Sequence, residues 1–196
     1  MGTFLKIFSQ AIPAIIKLLN KKKTAEQAPL SNSKPEAPIY KQISFEDYVT
    51  AMGRYPERLN SADLTDDVKK NIQTFLPVLN ALLKDLGVLN PDIVSGFRTR
   101  AVNSATPNAA PKSNHLTGLA CDIADKDASI TKHALLNLAI VKKHGCFLED
   151  PRWTKGWLHI QIKKPLSGKR VFAPSTAAPT NPSIWDGIYP KEYDEN

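Results

Sequence analysis

The sequence predicts an α+β fold built on a small, mainly antiparallel sheet. Helical apolar patterns come first, most of the short strand-like runs follow them, and no internal repeat is present. At 196 residues and 42% hydrophobic composition, the chain is long enough for one sizeable core and hardly for two.

Residues 1–23 place Phe4, Leu5, Phe8, Ile12, Ile15, Ile16 and Leu19 at mostly helical spacing, interrupted near Pro13. Lysines break the run before it reaches about 18 apolar residues, so it predicts an amphipathic basic segment and not a membrane span. Its basic cluster follows the apolar part, the reverse of a signal peptide, and Lys6 stands where a myristoylation motif needs Ser or Thr. Contact with an anionic membrane and docking onto this domain or a partner are the two readings of that segment. Residues 24–39 read as a linker, being rich in Ala, Pro, Ser, Asn, Glu and Lys.

The folded domain is expected over 40–175, followed by a Pro-rich tail over 176–196 in which Trp185, Ile188 and Tyr189 hint at docking. Ser44 to Asp47 has capping-box character and starts a short helix ending at Gly53. Thr65 caps a longer helix with an apolar stripe from Val68 to Leu86, stopped by Gly87. Short strands are expected at 92–96 and 119–123. Thr131 is expected to cap a helix running through Lys143 to Gly145, before strands at 146–149 and 157–162.

Five of the +7 net charges come from Lys6, Lys17, Lys21, Lys22 and Lys23, which leaves +2 for everything after them. Charge held in one terminal segment argues against a nucleic-acid groove across the domain. Cys121 and Cys146 are too few for a disulfide framework and read as small buried hydrophobes, although one bridge is possible if their strands adjoin.

The chemistry concentrates in His115, Asp122 and His159. Two imidazoles and one carboxylate are the donor set of a catalytic zinc ion that keeps one coordination position open. Gly118 allows a turn between His115 and Asp122, so one ligand comes from a loop and the next from a strand. Strand alternation puts Ala120 beside Asp122, and Trp157 and Gln161 beside His159, where the last two either contact substrate or pack. Ser113 is placed to hydrogen-bond near the ligand loop. Alternation turns Cys121 away from Asp122, which argues for packing over a thiol nucleophile. His133 and His144 lack ligand spacing.

The string Ser113-x-His115-x-x-Gly118-x-Ala120-x-Asp122, followed by Trp157-x-His159, resembles the zinc D-Ala-D-Ala carboxypeptidase and L-Ala-D-Glu endopeptidase family, whose fold is shared with the hedgehog signalling domain. The resemblance spans about Ile43 to Phe172 and implies a hedgehog/DD-peptidase-like fold, Zn2+ as cofactor and His115, Asp122 and His159 as its ligands. Ser95-Gly96-Phe97-Arg98 resembles the family segment whose arginine stabilises the oxyanion, so Arg98 inherits that role. The stretch from Glu149 to Gln161, continuing to Phe172, is similar to bacteriophage members and implies a phage or prophage lytic enzyme.

One position departs from the family. The general base usually stands three residues before the last ligand, and here that residue is Gly156. Glu149 and Asp150, across an expected hairpin loop from His159, are the candidates to replace it; Glu149 is preferred because phage-type members resemble this chain there.

The resulting expectation is a monomeric zinc metallopeptidase cleaving an amide bond in a peptidoglycan stem peptide or cross-link, as carboxypeptidase or endopeptidase. It would be made in a host cytoplasm and act on the cell wall or travel in a virion. The alternative is a catalytically lapsed zinc-binding module that binds cell wall or builds a virion, with Gly156 the trace of the lost base. A third reading gives residues 1–23 a membrane-perturbing action of their own.

Overall fold

A computed structural model describes residues 39–174. The amphipathic segment 1–23, nearly all of the linker and the tail 176–196 lie outside the described residues.

Helix α1 (Phe45–Thr50) begins with the expected capping box: Ser44 Oγ accepts from the Asp47 N–H at 3.0 Å and the Asp47 carboxylate accepts from the Ser44 N–H at 3.3 Å. It stops before Gly53, because Ala51 already turns left-handed at φ 50°. A 3-10 turn at Pro56–Asn60, absent from the sequence reading, leads to α2 (Asp66–Asp85). Thr65 caps α2 as expected, and Val68, Ile72, Phe75, Leu76, Leu79, Leu82 and Leu83 form its buried stripe.

Five strands follow: β1 (Ile93–Ser95), β2 (Ala120–Asp125), β3 (Phe147–Glu149), β4 (Gly156–Gln161) and β5 (Val171–Phe172). Their spatial order is β1-β2-β4-β3-β5, antiparallel at every joint except the parallel pairing of β3 with β5. The α+β expectation with a mainly antiparallel sheet therefore holds. Strand β5 and helix α3 (Arg100–Ala105) are additions.

The helix expected from Thr131 to Lys143 is corrected. It is two helices, α4 (Ser129–Leu136) and α5 (Leu138–Lys143), broken at Asn137, whose φ of −127° is not helical. Thr131 is not the cap but lies inside α4. The cap is the buried Asp125 carboxylate at the end of β2, which accepts from the Ile130 N–H at 3.0 Å and the Thr131 N–H at 2.7 Å.

One face of the sheet, carrying Cys121, Ile123, Leu148, Leu158 and Ile160, joins the α2 stripe in a single core. Alternation sends Asp122 and His159 to the other face. Two glycines press the loops on that face against the helices. A Cβ on Gly96 would lie 2.0 Å from the Tyr48 carbonyl oxygen, and one on Gly118 would lie 2.5 Å from Ile72 Cγ1, with Gly118 also held at φ +73°. Tyr48 further ties α1 to β2 by donating its hydroxyl to the Ala120 carbonyl at 2.6 Å.

Both cysteines are free and buried. Burial raises both thiols, Cys146 to about 12. Among the described residues no helix is long and apolar enough to cross a membrane.

Gly118→Ala combines a forbidden backbone with a clash and should cost more than about 2 kcal/mol in denaturant unfolding. Gly156→Ala, at φ +94° with open space around it, should cost about 1 kcal/mol. Because a raised thiol pKa lowers the thiolate fraction, iodoacetamide in mildly alkaline buffer should leave both cysteines unlabelled in the folded protein and label both in guanidinium, as read by mass.

Candidate metal centre

The pairing register builds the site as a row across four strands. Ser95 of β1 faces Asp122 of β2, and Asp122 faces His159 of β4. The β3–β4 register pairs Phe147 with Gln161 and Leu148 with Ile160, so its next step sets Glu149 across from His159. His115 enters from the loop between α3 and β2. The donor atoms of His115, Asp122 and His159 all lie within 4.8 Å of one another, and all three residues are buried.

Hydrogen bonds fix which atom each residue offers. His115 Nδ1 lies 2.7 Å from the Gly96 carbonyl, which can only accept, so the proton sits there and Nε2 is bare. His115 Nε2 stands 3.3 Å from Asp122 Oδ1. On the opposite side, His159 Nδ1 is 2.7 Å from the same oxygen, while His159 Nε2 is 3.3 Å from Gln161 Oε1. With the His159 proton on Nε2, the lone pairs of His115, Asp122 and His159 all converge with no hydrogen between them.

Held that way, the three lone pairs suit a cation; without one, His159 Nδ1 can donate to Asp122 across the 2.7 Å contact. The charge shifts express this strain. Burial would raise Asp122, yet the two imidazoles hold it far below the usual carboxylate range. Burial lowers His115 against the pull of Asp122. His159 ends above its ordinary value because the bond to Asp122 outweighs burial. Tetrahedral zinc with bonds of about 2.0–2.2 Å separates its donors by about 3.3–3.6 Å; the His115–Asp122 spacing of 3.3 Å meets that edge, while His159 and Asp122 stand at a hydrogen-bond distance of 2.7 Å. Two nitrogens and one carboxylate oxygen fit a zinc ion with one position open.

Arg98 lies within the row's reach. Its Nη2 donates to Asp122 Oδ2 and its Nε to Ser95 Oγ, each at 2.7 Å, while its backbone N–H donates to the His115 carbonyl at 3.1 Å. The Nη1 amine forms no hydrogen bond among the described residues. Phe172 stands edge-on to the His159 ring at 6.2 Å.

The two candidate bases separate cleanly. Glu149 is half-buried on the site face, with no hydrogen bond to its carboxylate among the described residues. Burial raises it; His159 and Arg98 pull it down, and Asp122 and Asp150 push it up. Asp150 is buried, and alternation directs it to the other face. It closes the β3–β4 turn by accepting from the Arg152 backbone N–H and Nε at 2.9 Å. Gly156 pairs with Asp125, and alternation from His159 puts it off the site face.

Ser113 does bond the ligand loop, accepting from the His115 N–H at 3.3 Å. Ser95, Asn114 and Phe172 were not picked out from the sequence as site residues. Ser95 was legible in the Ser-Gly-Phe-Arg segment, whereas Phe172 depends on β5, too short to read from two residues. His144 pairs with Asp85 at 2.8 Å, away from the row.

Metal-stripped protein should bind one Zn2+ per chain, and His115→Ala, Asp122→Ala and His159→Ala should each weaken it at least about 100-fold in a chelator competition. A raised His159 is protonated in the metal-free protein and must lose that proton to bind metal. Titration calorimetry in buffers of different ionisation enthalpy should therefore find proton release near pH 6 that fades as pH rises through the His159 pKa.

Residues 56–161, which include Arg98, Glu149 and the three-residue cluster, match a family model described as Peptidase M15. No curated protein and no solved structure matches the chain. The matched segment covers more than half of the sequence and ends just past His159: the chain belongs to the M15 peptidases, the zinc D-Ala-D-Ala carboxypeptidase family, and is a metallopeptidase.

Proposed function

We propose that this metallopeptidase hydrolyses an amide bond in a peptidoglycan stem peptide or cross-link, with zinc held by His115, Asp122 and His159. The observation that carries the reading is the row Asp122–His159–Glu149, which sets an unbonded carboxylate beside three converging lone pairs. Zinc supplies a Lewis acid for the scissile carbonyl and lowers the pKa of a water to about 7.

The protein's own residues do the rest. Glu149, raised by burial and free of hydrogen bonds among the described residues, takes the proton of the attacking water and returns it to the leaving amine. Arg98 holds Asp122 in place and turns its remaining donors to the oxyanion. Asp150 keeps the β3–β4 turn closed so that Glu149 stays in the row.

The finer assignments rest on the sequence. Similarity of the segment from Glu149 to Phe172 to bacteriophage members supports a phage or prophage lytic enzyme, made in a host cytoplasm and acting on the cell wall or carried in a virion. Carboxypeptidase and endopeptidase actions both suit these residues. Residues 1–23 supply a basic, amphipathic contact for anionic membrane, joined by the linker 24–39 to a monomeric domain over 40–175 that precedes the tail 176–196.

Purified peptidoglycan incubated with the zinc-loaded protein should release muropeptide fragments whose masses identify the bond. Glu149→Gln should lower turnover about 100- to 10,000-fold while keeping zinc, whereas Asp150→Asn should act first on stability. Zinc binding without any new amino terminus or released D-Ala overturns the proposal in favour of a lapsed binding module.

A further inference from the structure

Gln161 is a buried amide two residues beyond His159 on the same face of β4, and its two ends are fixed in opposite senses. Its Oε1 accepts from Asn114 Nδ2 at 2.9 Å, and its Nε2 donates to the Lys163 carbonyl. The Lys163 carbonyl can only accept and the Asn114 amine can only donate, so the amide cannot turn over without losing both bonds. Its oxygen therefore faces His159 Nε2, at 3.3 Å.

An imidazole that gives its proton to one side presents a lone pair on the other. We propose that Asn114 and Gln161 are positioning residues that act through His159: the amide relay Asn114→Gln161 holds the His159 proton on Nε2 and so keeps Nδ1 open toward Asp122 and the metal. The inference rests on reading His115, Asp122 and His159 as a zinc centre. It gives Asn114, on the loop next to His115, a second contact with the site: one loop supplies a ligand from β2's side and sets the tautomer of the ligand on β4. His115 receives the same service from the Gly96 carbonyl, which no side-chain substitution removes.

The relay makes a prediction that simple electrostatics reverses. Asn114→Asp adds a negative charge near the ion, which by charge alone tightens zinc. In the relay it replaces the donor with an acceptor, so the Gln161 amide turns its NH2 to the new carboxylate and to His159, and the His159 proton moves to Nδ1.

The test uses the full chain. Zinc affinity is measured by chelator competition, and the His159 nitrogen that ligates by nitrogen-15 NMR of the zinc-loaded protein, with unfolding curves confirming each variant folded. Gln161→Leu should weaken zinc about 10- to 100-fold. Gln161→Glu, which still accepts from His159 and from Asn114, should stay within about threefold of the parent protein. Asn114→Asp should weaken zinc. Unchanged zinc affinity in Gln161→Leu, tighter zinc in Asn114→Asp, or ligation through Nε2 in the zinc-loaded parent protein overturns the relay. Failure of the zinc centre itself is a different result: the parent protein would bind no zinc at all.

Discussion

The pairing of Asp122 with His159 across β2 and β4 is the contact on which the rest of the site depends. Side chains alternate along a strand, so a slip of one residue would exchange Asp122 for Cys121 or Ile123 and send the carboxylate into the core. The core prevents this. Cys121, Ile123, Leu158 and Ile160 are all fully buried, and a one-residue slip of either strand would turn its pair away from the core. The apolar residues thus act on the chemistry at one remove, by deciding which polar residues meet.

The same row balances charge. Asp122 sits between two imidazoles and Arg98, and Glu149 lies one strand further on. Without a cation, the cluster contains one carboxylate, the guanidinium paired with it and one imidazole that gains a proton. A divalent ion held there would replace that proton with a stronger charge and leave Glu149 facing the positive side of the row. Buried ionisable groups of this kind are costly unless each has a partner.

Much of this was legible in the sequence. The capping box at Ser44, the α2 stripe and the His-x-x-Gly-x-Ala-x-Asp string depend on neighbours a few residues away, and those are the features the structure returns almost unchanged. The break at Asn137 and the capping of α4 by Asp125 were not legible, because the cap arrives from the end of β2 and competes with a local Thr131 signal. The base is an intermediate case. Gly156 announced that the usual position was empty, and strand alternation alone favoured neither Glu149 nor Asp150 until the β3–β4 register was known. Asn114 gave no signal, since its role is defined only by Gln161, 47 residues later.

Gly118 and Gly96 tie the site to the helices beneath it. The His115 loop reaches its place only when its glycine lies against Ile72 and Val68, and the turn before Arg98 only when Gly96 meets the Tyr48 backbone. The loop, the turn and the strands therefore present their donors together only while helices α1 and α2 are packed against them. A metal that bound this folded arrangement and not the unfolded chain would add stability growing with the logarithm of its free concentration.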